Sequence, residues 1–217
     1  MGSLAALGVG GAPAPAARAA IFNGTSSTAT RAFSGSPYTA VTDWSWVWSI
    51  RSIDSSAGTH RILYNNPAGP LYITSSTFLE FTDFSNTLDI NLSGHSDVVF
   101  RLSRVSSTGV VTMQAWDRGT GTQIGTNQTL TSSTGAQDWT AATVALFFNN
   151  DFNSQFLAGH VDWIGWSSTA SNGSTKPGTP DSSYDLGRWL FDSDNGNDTS
   201  ANAQNLTLTN VTFENEP

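Results

Sequence analysis

Two short stretches of this chain combine an aromatic ring with side chains suited to hydroxyl groups: Trp116-Asp117-Arg118 and Asn149-Asn150-Asp151-Phe152-Asn153. An aromatic face lies well against the apolar side of a pyranose ring, while Asn, Asp and Arg hydrogen-bond the ring hydroxyls. Trp166, near the end of its own apolar run, could join them. The candidate carbohydrate-contacting residues are therefore Trp116, Asp117, Arg118, Asn149, Asn150, Asp151, Asn153 and Trp166. The first two groups read as loops, where binding residues concentrate. Trp44, Trp46, Trp48 and Trp163 read as core, because alternation already explains them.

Other chemistries find less support. Glycoside hydrolysis needs two carboxyl groups astride the scissile bond. The glutamates are only Glu80, Glu214 and Glu216, with no Glu-x-Asp-x-Glu run; Glu80 and Asp83, three apart, face opposite sides of a strand. No G-x-S-x-G elbow accompanies the many serines, and His60, His95 and His160 form no metal-ligand pattern. With no Cys, thiolate chemistry and disulfides are excluded. The run from Asp192 to Asp198 is rich in oxygen ligands and would suit calcium. A plain Asx turn uses the same letters and is preferred, so no catalytic or metal residue is assigned.

The elements that must position these residues are short. In TDWSWVWSIRS, Trp44, Trp46, Trp48 and Ile50 share one face at period two, with Ser45, Ser49 and Arg51 opposite. This predicts a half-buried antiparallel strand. Runs such as HRILYN, FLEFTDF, NTLDINLS, DVVFRLSRV and VVTMQAWD follow, separated by Ser/Thr/Gly turns, and no window carries a helical period. The chain is expected to be all-β, a two-sheet antiparallel sandwich or jelly roll with an extended N-terminal arm. Its 217 residues divide into an arm over 1–20 and a sandwich over 21–217, with a long surface loop at 167–183. Charged residues make up 12% of the chain, the net charge is −8 and Lys176 is the only lysine, which disfavours nucleic acid. No apolar run is long enough to span a bilayer as a helix, and the first twenty residues lack the basic start of an export signal.

Three segments carry a family resemblance. GHSDVVFRLSRVSSTGVVTMQAWDRGTGTQIG (94–125), LAGHVDWIGWSS (157–168) and GRWLFDSDNGNDTSANAQNLTLTNVTF (187–213) resemble elements of the concanavalin A-like lectin/glucanase superfamily, in particular its laminin-G-like branch. In the second, Gly159, Val161, Asp162 and Ile164 occupy the matching places; the third stands last here and earlier in laminin-G-like domains. The resemblance implies the sandwich, and a role in binding or adhesion. Members include lectins, enzymes, adhesion modules and virion proteins, so it does not choose among them.

A Gly/Ala/Pro arm needs a partner to be held in place. The expectation is a non-enzymatic virion structural protein, a bacteriophage capsid decoration (cement) or fibre-type protein on the virion surface. The major capsid protein or other virion subunits would be its partners, and a homo-oligomer, a trimer by preference, its state. The alternative is a secreted or surface lectin-like module for host glycans.

Overall fold

The computed structural model describes residues 17–31, 33, 35, 37–38, 41–54, 58–65, 69–74, 77–83, 86–132, 145–146 and 157–216. They form β1 (Arg18–Asn23), β2 (Thr28–Thr30), β3 (Trp44–Arg51), β4 (His60–Asn65), β5 (Gly69–Ile73), β6 (Phe78–Asp83), β7 (Asn86–Asn91), β8 (Val98–Val105), β9 (Val110–Asp117), β10 (Gln123–Thr131), β11 (Ala145–Leu146), β12 (Ala158–Ser167), β13 (Gly187–Trp189), β14 (Thr207–Thr209) and β15 (Thr212–Asn215). No helix occurs among the described residues. An eight-stranded sheet runs β10-β9-β8-β3-β12-β1-β15 with β13 paired to β12, and a five-stranded sheet runs β11-β4-β5-β6-β7. All pairings are antiparallel.

The core lies between the sheets. On β3 the alternating Trp44, Trp46, Trp48 and Ile50 point inward and meet Phe100 and Leu102 of β8 and Ile164 and Trp166 of β12. Trp46 stacks on Trp166 at 4.5 Å between ring centroids and 10° between planes. Such pairs add about 0.5–1.5 kcal/mol beyond area burial. Leu79 and Phe81 of β6 and Leu88 and Ile90 of β7 close the core from the smaller sheet.

Three expectations change. β3 is buried along its whole length, on both faces. The long surface loop is tied down, running across the outer face of the large sheet: Ser45 Oγ donates to Thr169 O, Arg101 Nη1 to Ser171 Oγ, and Trp116 Nε1 to Ser174 O. Ser167 itself belongs to β12, so this strap spans 168–186. At its far end Tyr184 lies so close over the sheet that a Cβ on Gly165 would sit 2.4 Å from the ring. Finally, the arm does not extend to residue 20, because Arg18 to Ala20 pair with β15 and Ala20 also with β12; residues 1–16 lie outside the described residues.

Candidate functional site

A β-bulge builds the site. Against β3, β12 pairs Val161 with Ile50 and Trp163 with Ser49, so two residues of β12, Asp162 and Trp163, oppose one. Val161 and Ile164 both face the core, and the extra residue places carboxylate and indole side by side on the outer face. Trp163 packs there with Val47 and Val99 in a small apolar cluster that Tyr184 and Leu190 complete. Trp163 is thus not part of the inner core to which alternation assigned it. The visible signal was a switch of apolar parity, from Val161 to Ile164 and Trp166.

Asp162 has no exposed side-chain surface and is matched by cations from two directions. Arg51 Nε donates to its Oδ1 at 2.6 Å; Ser49 Oγ and Arg118 Nε reach Oδ2, each at 2.7 Å. The guanidinium of Arg118 continues to Glu216 Oε2 at 3.0 Å, and that of Arg51 to Glu214 Oε1 at 3.4 Å. His160 Nδ1 also lies 2.5 Å from that Glu214 oxygen. Burial, reinforced by the Asp162 charge, pushes the Glu216 carboxyl above its ordinary range. The arrangement is a charge relay of fixed geometry, with Asp162 as its buried centre.

Over this relay the strap leaves a cleft of about 280 Å³, lined by Ser49, Val99, Arg118, Trp163, Lys176 and Glu216, with Pro177 to Thr179 as its roof. Lys176, the chain's sole lysine, donates to Arg118 O at 3.2 Å and has no carboxylate partner among the described residues. Apolar indole, cationic donors and a carboxylate therefore converge on one small space. Such a lining holds a polar ligand by several oriented hydrogen bonds and an apolar wall.

The candidates from the sequence go separate ways. Arg118 lines the cleft. Asp117 ends β9 and turns the other way, accepting from Thr120 N–H and Thr120 Oγ1 in the following turn and lying 3.0 Å from His95 Nδ1. Trp116 is not a loop residue: it is on β9, 1% exposed, sealed under the strap with the Arg101 guanidinium 5.1 Å from its ring centre. Trp166 is wholly buried in the inner aromatic stack. Neither indole offers a ring face to a sugar. Asn149, Asn150, Asp151 and Asn153 lie outside the described residues. In the 192–198 run, Asp194 pairs with Arg18 through both oxygens. Asp198 accepts from the N–H groups of Arg188, Ser200 and Gln204, so these carboxylates serve the turn itself. No cluster of metal-binding side chains occurs among the described residues.

No protein-family profile and no curated protein matches the chain. Similar solved structures include the CBM40 of the Ruminococcus gnavus IT-sialidase, with TM-score 0.47 and 15% identity over 70% of this chain and 92% of that one. A heptameric SAP-like pentraxin from Limulus polyphemus gives 0.42 and 13%, over 74% and 80%. Domains LG4-5 of the mouse laminin alpha1 chain give 0.45 and 13%, over 76% and 45%.

Proposed function

We propose that the protein is a non-enzymatic, lectin-like binding module whose cleft beneath the 168–186 strap takes one terminal sugar residue. The observation that carries this reading is the convergence of Trp163, Arg118, Lys176 and Glu216 on a single cleft. Its volume, about 280 Å³, is at the lower edge of small-molecule sites, which run from about 300 to 1,000 Å³. That suits one ring and not an extended chain. Asp162, with its oxygens held by Ser49, Arg51 and Arg118, acts as a counter-ion that orients Arg118. A glycan array probed with the whole chain tests the proposal: binding sorted by the identity of the terminal residue is expected, and a blank array overturns it.

A second reading, a virion-surface decoration protein, is favoured by one feature. β15 is an edge strand of the large sheet, and β1 beside it starts at Arg18, early in the chain. Edge strands accept added strands from partners. Both readings hold together if the module adheres to a shell by this edge and to host glycans by the cleft. Removing residues 1–16, and no more, is the clean test, because removing 1–20 would also cut Arg18 to Ala20 out of β1. Loss of particle attachment with unchanged melting is expected; full occupancy on particles refutes the arm's role.

A further inference from the structure

A second, half-open cavity lies at the end of the sandwich where the segments after β3, β5 and β7 meet. It measures about 190 Å³ and is lined chiefly by Ile53, Ile73, Thr77, Leu92, His95 and Ser96. Ile73 and Leu92 are core residues, so its floor is aliphatic. A cavity of about 150 Å³ with such walls holds a benzene ring, so this one has room for about six or seven non-hydrogen atoms.

Beside Thr77 and Ser96, His95 contributes the ring nitrogens on its wall, and the neighbouring carboxylate sets the ring's tautomer. The N–H of Thr120, the His95 ring and the Thr120 hydroxyl hold the Asp117 carboxyl down at about 2, so it is ionised and only accepts. The proton between them is therefore on His95 Nδ1, 3.0 Å from Asp117 Oδ2. In the neutral ring Nε2 is a lone-pair acceptor, with no protein partner among the described residues. The surroundings are anionic: Asp97 Oδ1 accepts from Ser96 Oγ on the cavity wall at 3.2 Å and from Ser52 N–H at 2.8 Å, and Asp117 backs the imidazole. The nearby cations in sequence, Arg51 before Ser52 and Arg118 after Asp117, are committed to Asp162, Glu214 and Glu216. Thr77, on the cavity wall, has φ +67° and Ser52, beside Ile53, φ +51°. A β-branched residue in that region is a genuine outlier, and such strained backbone gathers at ligand sites.

We propose that this cavity binds a primary alkylammonium of about five or six carbons, its chain against Ile53, Ile73 and Leu92 and its head donating to His95 Nε2. Acceptor, anionic mouth and aliphatic floor each select a different part of that ligand. The site is separate from the sugar cleft and stands without it.

Titration of n-pentylammonium chloride into the full chain, at a pH where imidazole is neutral, is followed through the three histidine Cε1–H signals. A saturable shift of His95 alone is expected, with none from sodium n-pentanoate. Asp117→Asn removes the carboxylate that sets the tautomer and should weaken binding roughly tenfold or more. Equal shifts from pentanoate, or unsaturable shifts shared by His60 and His160, overturn the proposal. If the variant fails to fold, the two probes on the unmodified chain still decide. Nα-acetyl-lysine amide separates two sources of the same chemistry: binding points to a protein lysine, rejection to a free amine.

Discussion

The two sheets of this sandwich carry similar alternation and end in different environments. On the five-stranded sheet, β6 and β7 are buried on one face only, with Thr87, Asp89 and Asn91 exposed on the other. On the eight-stranded sheet, β3, β8 and most of β9 and β12 are buried on both faces, because the 168–186 strap covers the outer one. Alternation records which residues face the opposite sheet; it is silent on whether something else lies over the other side. The difference also locates the cleft. A bare polar sheet face is flat, whereas a strapped face has a roof and therefore a cleft, and here that cleft sits over a buried carboxylate.

If the covered face depends on the Asp162 relay, removing that carboxylate should have the largest effect. Asp162→Ala leaves Arg51 and Arg118 without their shared counter-ion, and unfolding by denaturant should show a loss of about 3–5 kcal/mol, the usual cost of breaking a buried pair. A smaller loss is expected from Gly165→Ala, which drives Tyr184 off the sheet: about 1–3 kcal/mol, as for overpacking. Faster hydrogen exchange over 168–186, and not over β6 or β7, should accompany it. On the exposed face of the smaller sheet, Asp89→Ala should change stability by no more than about 0.5 kcal/mol. An effect there as large as at Gly165 would erase the distinction between the sheets.

The pH response sharpens the same contrast. Asp117 is lowered from 3.8 to about 2, so its share of stability is present above the ordinary value and is lost as pH falls through that interval; Asp117→Asn should flatten the acid limb. Glu216 has the opposite sign. Its carboxyl is raised by burial, so the folded chain binds the proton more tightly and stability declines as pH rises from the ordinary glutamate value toward the raised one. Glu216→Gln should remove that decline, visible as melting temperature against pH.

Much of the scaffold was legible because Trp44, Trp46 and Trp48 are large and strictly alternate, which leaves no other economical packing. Arg118 was singled out because it stands in a turn, where binding residues concentrate, and it lines the cleft. Trp116 was misplaced by its company: the Asp-Arg-Gly that follows signals a turn, and the strand runs one residue beyond it. Trp163 was misplaced because a bulge breaks period two, and strict alternation then assigns the wrong face. The strap was hardest to see. Its Ser, Thr, Gly and Pro residues announce irregular backbone, but much of its hold on the sheet comes from single carbonyls of Thr169, Gly173 and Ser174, which leave no mark in the residue types.

The central claim is that the cleft under the strap is where a sugar binds. Calorimetric titration of an array-positive monosaccharide into the unmodified chain and into Lys176→Met tests it most directly, since Lys176 lines the cleft and its side chain makes one hydrogen bond among the described residues. One site per chain and a loss of about tenfold or more in the variant are predicted, as for a charge-assisted hydrogen bond removed. Equal affinity for both proteins, with Lys176 replaced and the fold intact, would contradict the account.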